Sequence, residues 1–136
     1  MLTNALENED SDPEVIRLIL EKLKSSSDSK TFTSLVNYRR KPTTLKWKSI
    51  YFIAKTLQRT GVVESGLMAS LAIDAGTTPL NLAVVRGDVE IVKLLLEAGA
   101  DPYVENDLGM NAFEVCGKLG PFPRVTKALQ KETTRN

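Results

Sequence analysis

The sequence predicts an all-α fold, a helical-repeat solenoid of three to four stacked helix pairs. Three observations carry this expectation. Residues recur at a spacing of 33: Asp74 as Asp107, Gly76 as Gly109, Leu80 as Phe113, Leu82 as Val115, Ala83 as Cys116, Gly87 as Gly120, Val92 as Val125 and Leu96 as Leu129. A period of that length marks one supersecondary unit, too small to hide its own apolar face, repeated along the chain. Within the unit, helix starts stand at Thr78-Pro79 and Asp88, and stops at Gly87 and Gly99. Between the last two signals Ile91, Val92, Leu94, Leu95 and Leu96 give the second helix a broad apolar face.

Taken in order, the chain opens on a fragment, Leu2 to Asn8, followed by Asp12-Pro13-Glu14-Val15-Ile16-Arg17-Leu18-Ile19-Leu20-Glu21, which repeats the pattern of Asp88 to Glu97 nearly residue by residue. Residues 1–24 therefore read as an N-terminal capping pair, whether a truncated cap or the edge of a longer protein. Residues 25–44 are Ser-rich and then basic, with a weak pattern in Phe32, Leu35, Val36 and Tyr38, and read as an insertion loop. Residues 45–73 read as a degenerate repeat. Its helix from Leu45 to Arg59 places Trp47, Ile50, Tyr51, Ala54 and Leu57 on one face, and Val63, Leu67 and Leu71 face inward from a partner helix over 62–72. Residues 74–106 are the best-formed unit. In residues 107–136 the motif is worn, Asn111-Ala112-Phe113 replacing Thr78-Pro79-Leu80, but Asn111 still caps a helix and Pro121 or Pro123 still starts the next. Val125, Ala128 and Leu129 point inward there, while Lys127, Gln130 and Lys131 point outward. A polar outer face suits a terminal, capping repeat.

From Gly76 to Asp101 the run Gly-Thr-Thr-Pro-Leu-Asn-Leu-Ala-Val-Val-Arg-Gly-Asp-Val-Glu-Ile-Val-Lys-Leu-Leu-Leu-Glu-Ala-Gly-Ala-Asp resembles the ankyrin repeat along its whole length. The resemblance implies an ankyrin-type solenoid with short β-hairpin fingers between repeats, serving as a binding scaffold without chemistry of its own. The stretch from Gly61 to Gly76 is shorter than Gly87 to Gly109, so a full finger is not expected at that junction. Asn81 stands where the family usually has His, and reads as a structural hydrogen-bonding residue.

Composition supports a single soluble domain: 136 residues, 42% hydrophobic and 26% charged. The absence of histidine removes the commonest general base and metal ligand, together with every Ser-His or Cys-His nucleophile arrangement. A single cysteine makes no internal disulfide, and Cys116, at a small-residue position, reads as a packed, inert thiol. No calcium-loop spacing or glycine-rich phosphate loop is present, and the Ser-x-x-Lys of Ser27 to Lys30 is a chance match in a Ser-rich run. No cofactor, metal or catalytic residue is expected. No leader is visible in the first residues and no glycosylation acceptor occurs, so the expected home is a reducing compartment, cytoplasmic or nuclear.

A formal net charge of +1 hides a strong asymmetry. Between Asp28 and Glu64 there is no acid, whereas Asp74 to Asp107 holds seven acids against Arg86 and Lys93. Two surfaces follow. By the resemblance, fingers and inner helices form a groove for a protein partner, at Asp74, Ala75, Thr77 and Val85 in one repeat, and at Tyr103, Glu105, Asp107, Leu108, Met110 and Lys118 in the next. A basic or amphipathic segment suits these acidic fingers. The second surface is the basic stretch Arg39, Arg40, Lys41, Lys48, Phe52, Lys55 and Arg59, which suits an anionic ligand, nucleic acid or phospholipid, or is a solvated face. The expected function is a non-enzymatic protein-interaction module. The alternatives are a regulatory domain or subunit of a larger enzyme or complex, and an anion binder acting through the 38–59 face.

Overall fold

The computed structural model describes residues 12–41, 76–119 and 122–134, together with Leu2, Leu6, Phe52, Ile53 and Thr56. These residues form helices and turns, with no strand among them. The helices are α1 (Pro13–Ser26), α2 (Ser29–Val36), α3 (Pro79–Arg86), α4 (Val89–Glu97), α5 (Ala112–Leu119) and α6 (Pro123–Thr133).

The helix ends follow the sequence signals closely in the central unit. Thr78 caps α3 by accepting from the Asn81 amide, with Pro79 at the first position, and Gly87 ends the helix at φ +70°. Asp88 caps α4 by accepting from the Glu90 and Ile91 amides. The chain then turns through Gly99 at φ +92°, a conformation that favours glycine. Asn111 caps α5 through the amides of Phe113 and Glu114, while the Glu114 carboxylate takes the Asn111 amide at 2.9 Å. This is a reciprocal capping box, read from one Asn and one Glu three residues apart. The helix α6 starts on Pro123 with no side-chain cap, and Phe122 packs against the core in its place.

Helix α4 pairs with α3 and lies between α1 and α6, while α3 packs on α5. Leu2 and Leu6 are helical and buried in the same core, and the Arg86 guanidinium of α3 donates to the Leu6 carbonyl. Residues 13–26 therefore pack directly beside α4. The helices expected over 45–59 and 62–72 lie outside the described residues, except at Phe52, Ile53 and Thr56, which are helical.

The expected loop over 25–44 is corrected. Helix α1 runs on to Ser26, and residues 29–36 form α2. Asp28 caps α2, and Phe32 and Val36, four apart on one face, are buried. A single turn of apolar spacing was therefore enough once a cap preceded it. Hydrogen bonds from the Thr31 side chain and then its backbone hold the Asp28 carboxyl below the ordinary carboxylate range.

The core runs continuously from Ile16 and Leu20 through Leu80, Val84, Ile91 and Leu95 to Val115, Val125 and Leu129. Cys116 is buried as expected, its Sγ 3.4 Å from the Thr126 hydroxyl. Asn81 is buried too, but its Nδ2 has no hydrogen-bond partner, so its side-chain amide does not supply the expected hydrogen bond from that nitrogen.

Candidate interaction surface

The segment joining α4 to α5, residues 98–111, is built of turns. Asp101 accepts from the Tyr103 amide, and the Ala112 amide reaches back to the Pro102 carbonyl at 3.1 Å. At its centre Asn106 is only 3% exposed. Its side-chain oxygen accepts from the Leu108 and Met110 amides at 3.0 and 2.9 Å. Its backbone closes the same turn, donating to the Met110 carbonyl and accepting from Gly109, which sits at φ +75°. One buried amide side chain thus satisfies two backbone donors that would otherwise lack partners. Asn106 was not singled out from the sequence, although Asn before Asp107-Leu108-Gly109 is the signature of such a side-chain turn.

This turn sorts the expected finger residues into two sets. Tyr103, Glu105 and Asp107 are exposed, and the Tyr103 ring rests 5.7 Å from that of Phe113 while 55% of the residue faces solvent. Leu108 and Met110, which on a turn read either as partner contacts or as folded over against a neighbour, are half-buried and pack against the core. The turn folds inward around Asn106 and carries them with it. Thr77, also expected at an exposed hairpin, is only 1% exposed, because its carbonyl accepts from the Arg40 amide as the 37–41 segment passes over it. Val85 on α3 is half-buried and Lys118 on α5 is exposed. Asp74 and Ala75 lie outside the described residues.

The basic surface is partly drawn into the acidic one. The Arg39 guanidinium pairs with the Asp107 carboxylate at 2.7 Å and donates to the Gly76 carbonyl at 3.4 Å. Gly76 makes room for this pair: at φ +69°, a side chain there would overlap the Asp107 carboxylate and press on Arg39. Lys41 is exposed, Arg40 is half-buried, and Phe52 is 71% exposed. Lys48, Lys55 and Arg59 lie outside the described residues. The charge asymmetry of the sequence therefore does not become two wholly separate faces, since Arg39 and Asp107 meet. Asn37 adds a second tie. Its side chain donates to the Gly99 carbonyl at 3.2 Å and accepts from the Asp101 amide at 2.7 Å.

Among the described residues no three His, Cys, Asp or Glu side chains gather as a metal cluster, and no helix is long and apolar enough to cross a membrane.

A family model described as Ankyrin repeat matches residues 75–107. The chain is similar to E3 ubiquitin-protein ligase KEG of Arabidopsis thaliana, 37% identical over 63 residues, which cover 46% of this chain and 4% of the relative. It is also similar to the putative E3 ubiquitin-protein ligase XBAT34 of the same plant, 40% identical over 81 residues, which cover 60% of this chain and 20% of the relative. The chain thus spans a small part of the length of the relatives it matches. The matched window takes in α3, α4 and the start of the Asn106 turn, where the helix caps and glycine stops agree with the repeat. Residues 75–107 are an ankyrin repeat.

Proposed function

We propose that the chain is a non-enzymatic protein-interaction module. Its helix pairs act as an ankyrin-type solenoid, and the finger 98–111, with the half-buried side of α3 and the exposed side of α5, receives a basic or amphipathic segment of a partner protein. The observation that carries this reading is the Asn106 turn, which holds Tyr103 and Glu105 in solvent on a backbone tied down from inside. A partner meeting such a surface loses little by ordering it. An exposed aromatic beside carboxylates suits an Arg or Lys side chain, which gains from both the ring face and the charge. The ankyrin repeat is an interaction fold without catalytic machinery, and the absence of histidine from the whole chain agrees with a binding role. The cytoplasm or nucleus is the compartment that suits a lone buried thiol.

A second reading is favoured by the relatives. Both are named as ubiquitin ligases and both are far longer than the matched segment, so the same surface would serve as the recognition part of a larger protein or complex. The anion-binding reading of the 38–59 face is weaker, because Arg39 is already engaged with Asp107.

The test is affinity capture from the source cell with the intact chain, a Tyr103→Ser/Glu105→Lys variant and a Val15→Ser/Leu18→Ser variant. Val15 and Leu18 are exposed on α1, a separate element from the finger. The proposal expects a protein partner that is lost with the finger variant alone. A partner kept by the finger variant and lost with the α1 variant contradicts it.

A further inference from the structure

A second surface lies on the outer helices and shares no lining residue with the finger. Between α4 and α6 runs a groove of about 380 Å³. Its floor is apolar, with Val89 half-buried and Ala128 buried, and its rim carries Glu90 and Lys93 from α4 and three bases from α6, Arg124, Lys127 and Lys131. The three α6 bases follow an i, i+3, i+7 spacing, so they share one helical face over about 10 Å. Lys93 is neutralised by Glu90 at 2.8 Å. The exposed side chains of Arg124, Lys127 and Lys131 have no ion pair among the described residues. Three uncompensated cations along a narrow apolar cleft form a field that a single anionic strand would relieve.

We infer that this groove docks an extended acidic peptide segment of a partner protein. An extended chain advances about 3.3 Å per residue and turns alternate side chains to one side, so carboxylates two residues apart recur every ~6.6 Å. The α6 bases recur every ~4.5 to 6 Å along the helix axis, a spacing that flexible Lys and Arg side chains match to such a row. A lipid surface is disfavoured, since none of the large exposed apolar side chains of the described residues lines this groove to anchor in a bilayer. Nucleic acid is disfavoured because no aromatic side chain lines it to stack a base. The inference is independent of the finger, whose proposed partner segment carries the opposite charge.

The test titrates a fluorescein-labelled peptide of alternating Glu and Ser into the full chain, read by anisotropy at low and at physiological salt. Lys127→Gln/Lys131→Gln removes two groove charges with helix-compatible side chains, and Lys127→Glu/Lys131→Glu reverses them. Lys22→Gln/Lys24→Gln makes the neutralising change on exposed positions of α1. The inference expects saturable, salt-sensitive binding, weakened roughly tenfold by the groove Gln pair and more by the Glu pair, and unchanged in the α1 control. Far-UV circular dichroism checks folding, and the Gln pair alone decides the matter if the Glu pair does not fold. Absence of saturable binding overturns the inference. So does an equal loss in the groove Gln pair and the α1 control, or groove-dependent binding of phosphatidylserine vesicles or an oligonucleotide with none of the peptide.

Discussion

Two asparagines pin two segments of this chain, and they do so over very different ranges. In the finger, Asn106 closes a turn on amides two and four residues ahead of it and is buried under that turn. In the 37–41 segment, Asn37 reaches across more than sixty residues to Gly99 and Asp101, and is only half-buried. The first fixes local shape. The second fixes where one part of the fold lies against another, tying the chain after α2 to the end of α4. Together they place the finger in a clamp, its turn set from within and its base held from the side by Asn37 and by the Arg39–Asp107 pair.

Asn106→Ala should be the costlier break, because it removes a buried side chain and leaves two part-buried backbone donors unpaired. About 2 to 4 kcal/mol of stability should be lost, measurable as a shift of the urea midpoint at unchanged slope. Asn37→Ala should cost about 1 to 2 kcal/mol, since water replaces part of what is lost at a half-buried site. Its sharper readout is amide exchange, in which the Asp101 amide should lose protection while the Leu108 and Met110 amides keep theirs. Arg39→Ala should cost less than about 1 kcal/mol, as both partners of its ion pair are well exposed, and added salt should shrink the difference. A double-mutant cycle with Asp107→Ala isolates that coupling.

The smallest effect should come from Asp28. Its carboxyl titrates below the ordinary carboxylate range in the folded chain, so the deprotonated cap favours folding. That contribution is present above the unfolded pKa and is lost as pH falls through the folded one. The stability gap between the native chain and Asp28→Ala should therefore be open near neutral pH and close in acid, as followed by thermal melts across that range.

The same contrast in range explains what was legible in the sequence. Thr78, Pro79, Gly87, Asp88, Gly99 and Asn111 act on amides or dihedrals within a few residues, and each stands in the structure where its type implies. The burial of Thr77 was not legible, because it depends on a segment nearly forty residues upstream, and the half-burial of Leu108 and Met110 was one of two readings that only the Asn106 turn decides. The position of α1 beside α4 was hidden for a related reason: nothing in residues 13–26 names the helix they pack on. Helix α2 was obscured by its composition, Ser and Thr being weak helix formers, although the Asp28 cap and the Phe32–Val36 spacing were both in view.

The central claim is that the finger and the adjoining inner-helix surface form the recognition face. The most direct measurement is amide hydrogen exchange on the chain, free and bound to its captured partner. New protection should concentrate in residues 101–110 and in α3 and α5, with α1 unchanged. Protection confined to α1 and α2, with the finger exchanging as in the free chain, would contradict it.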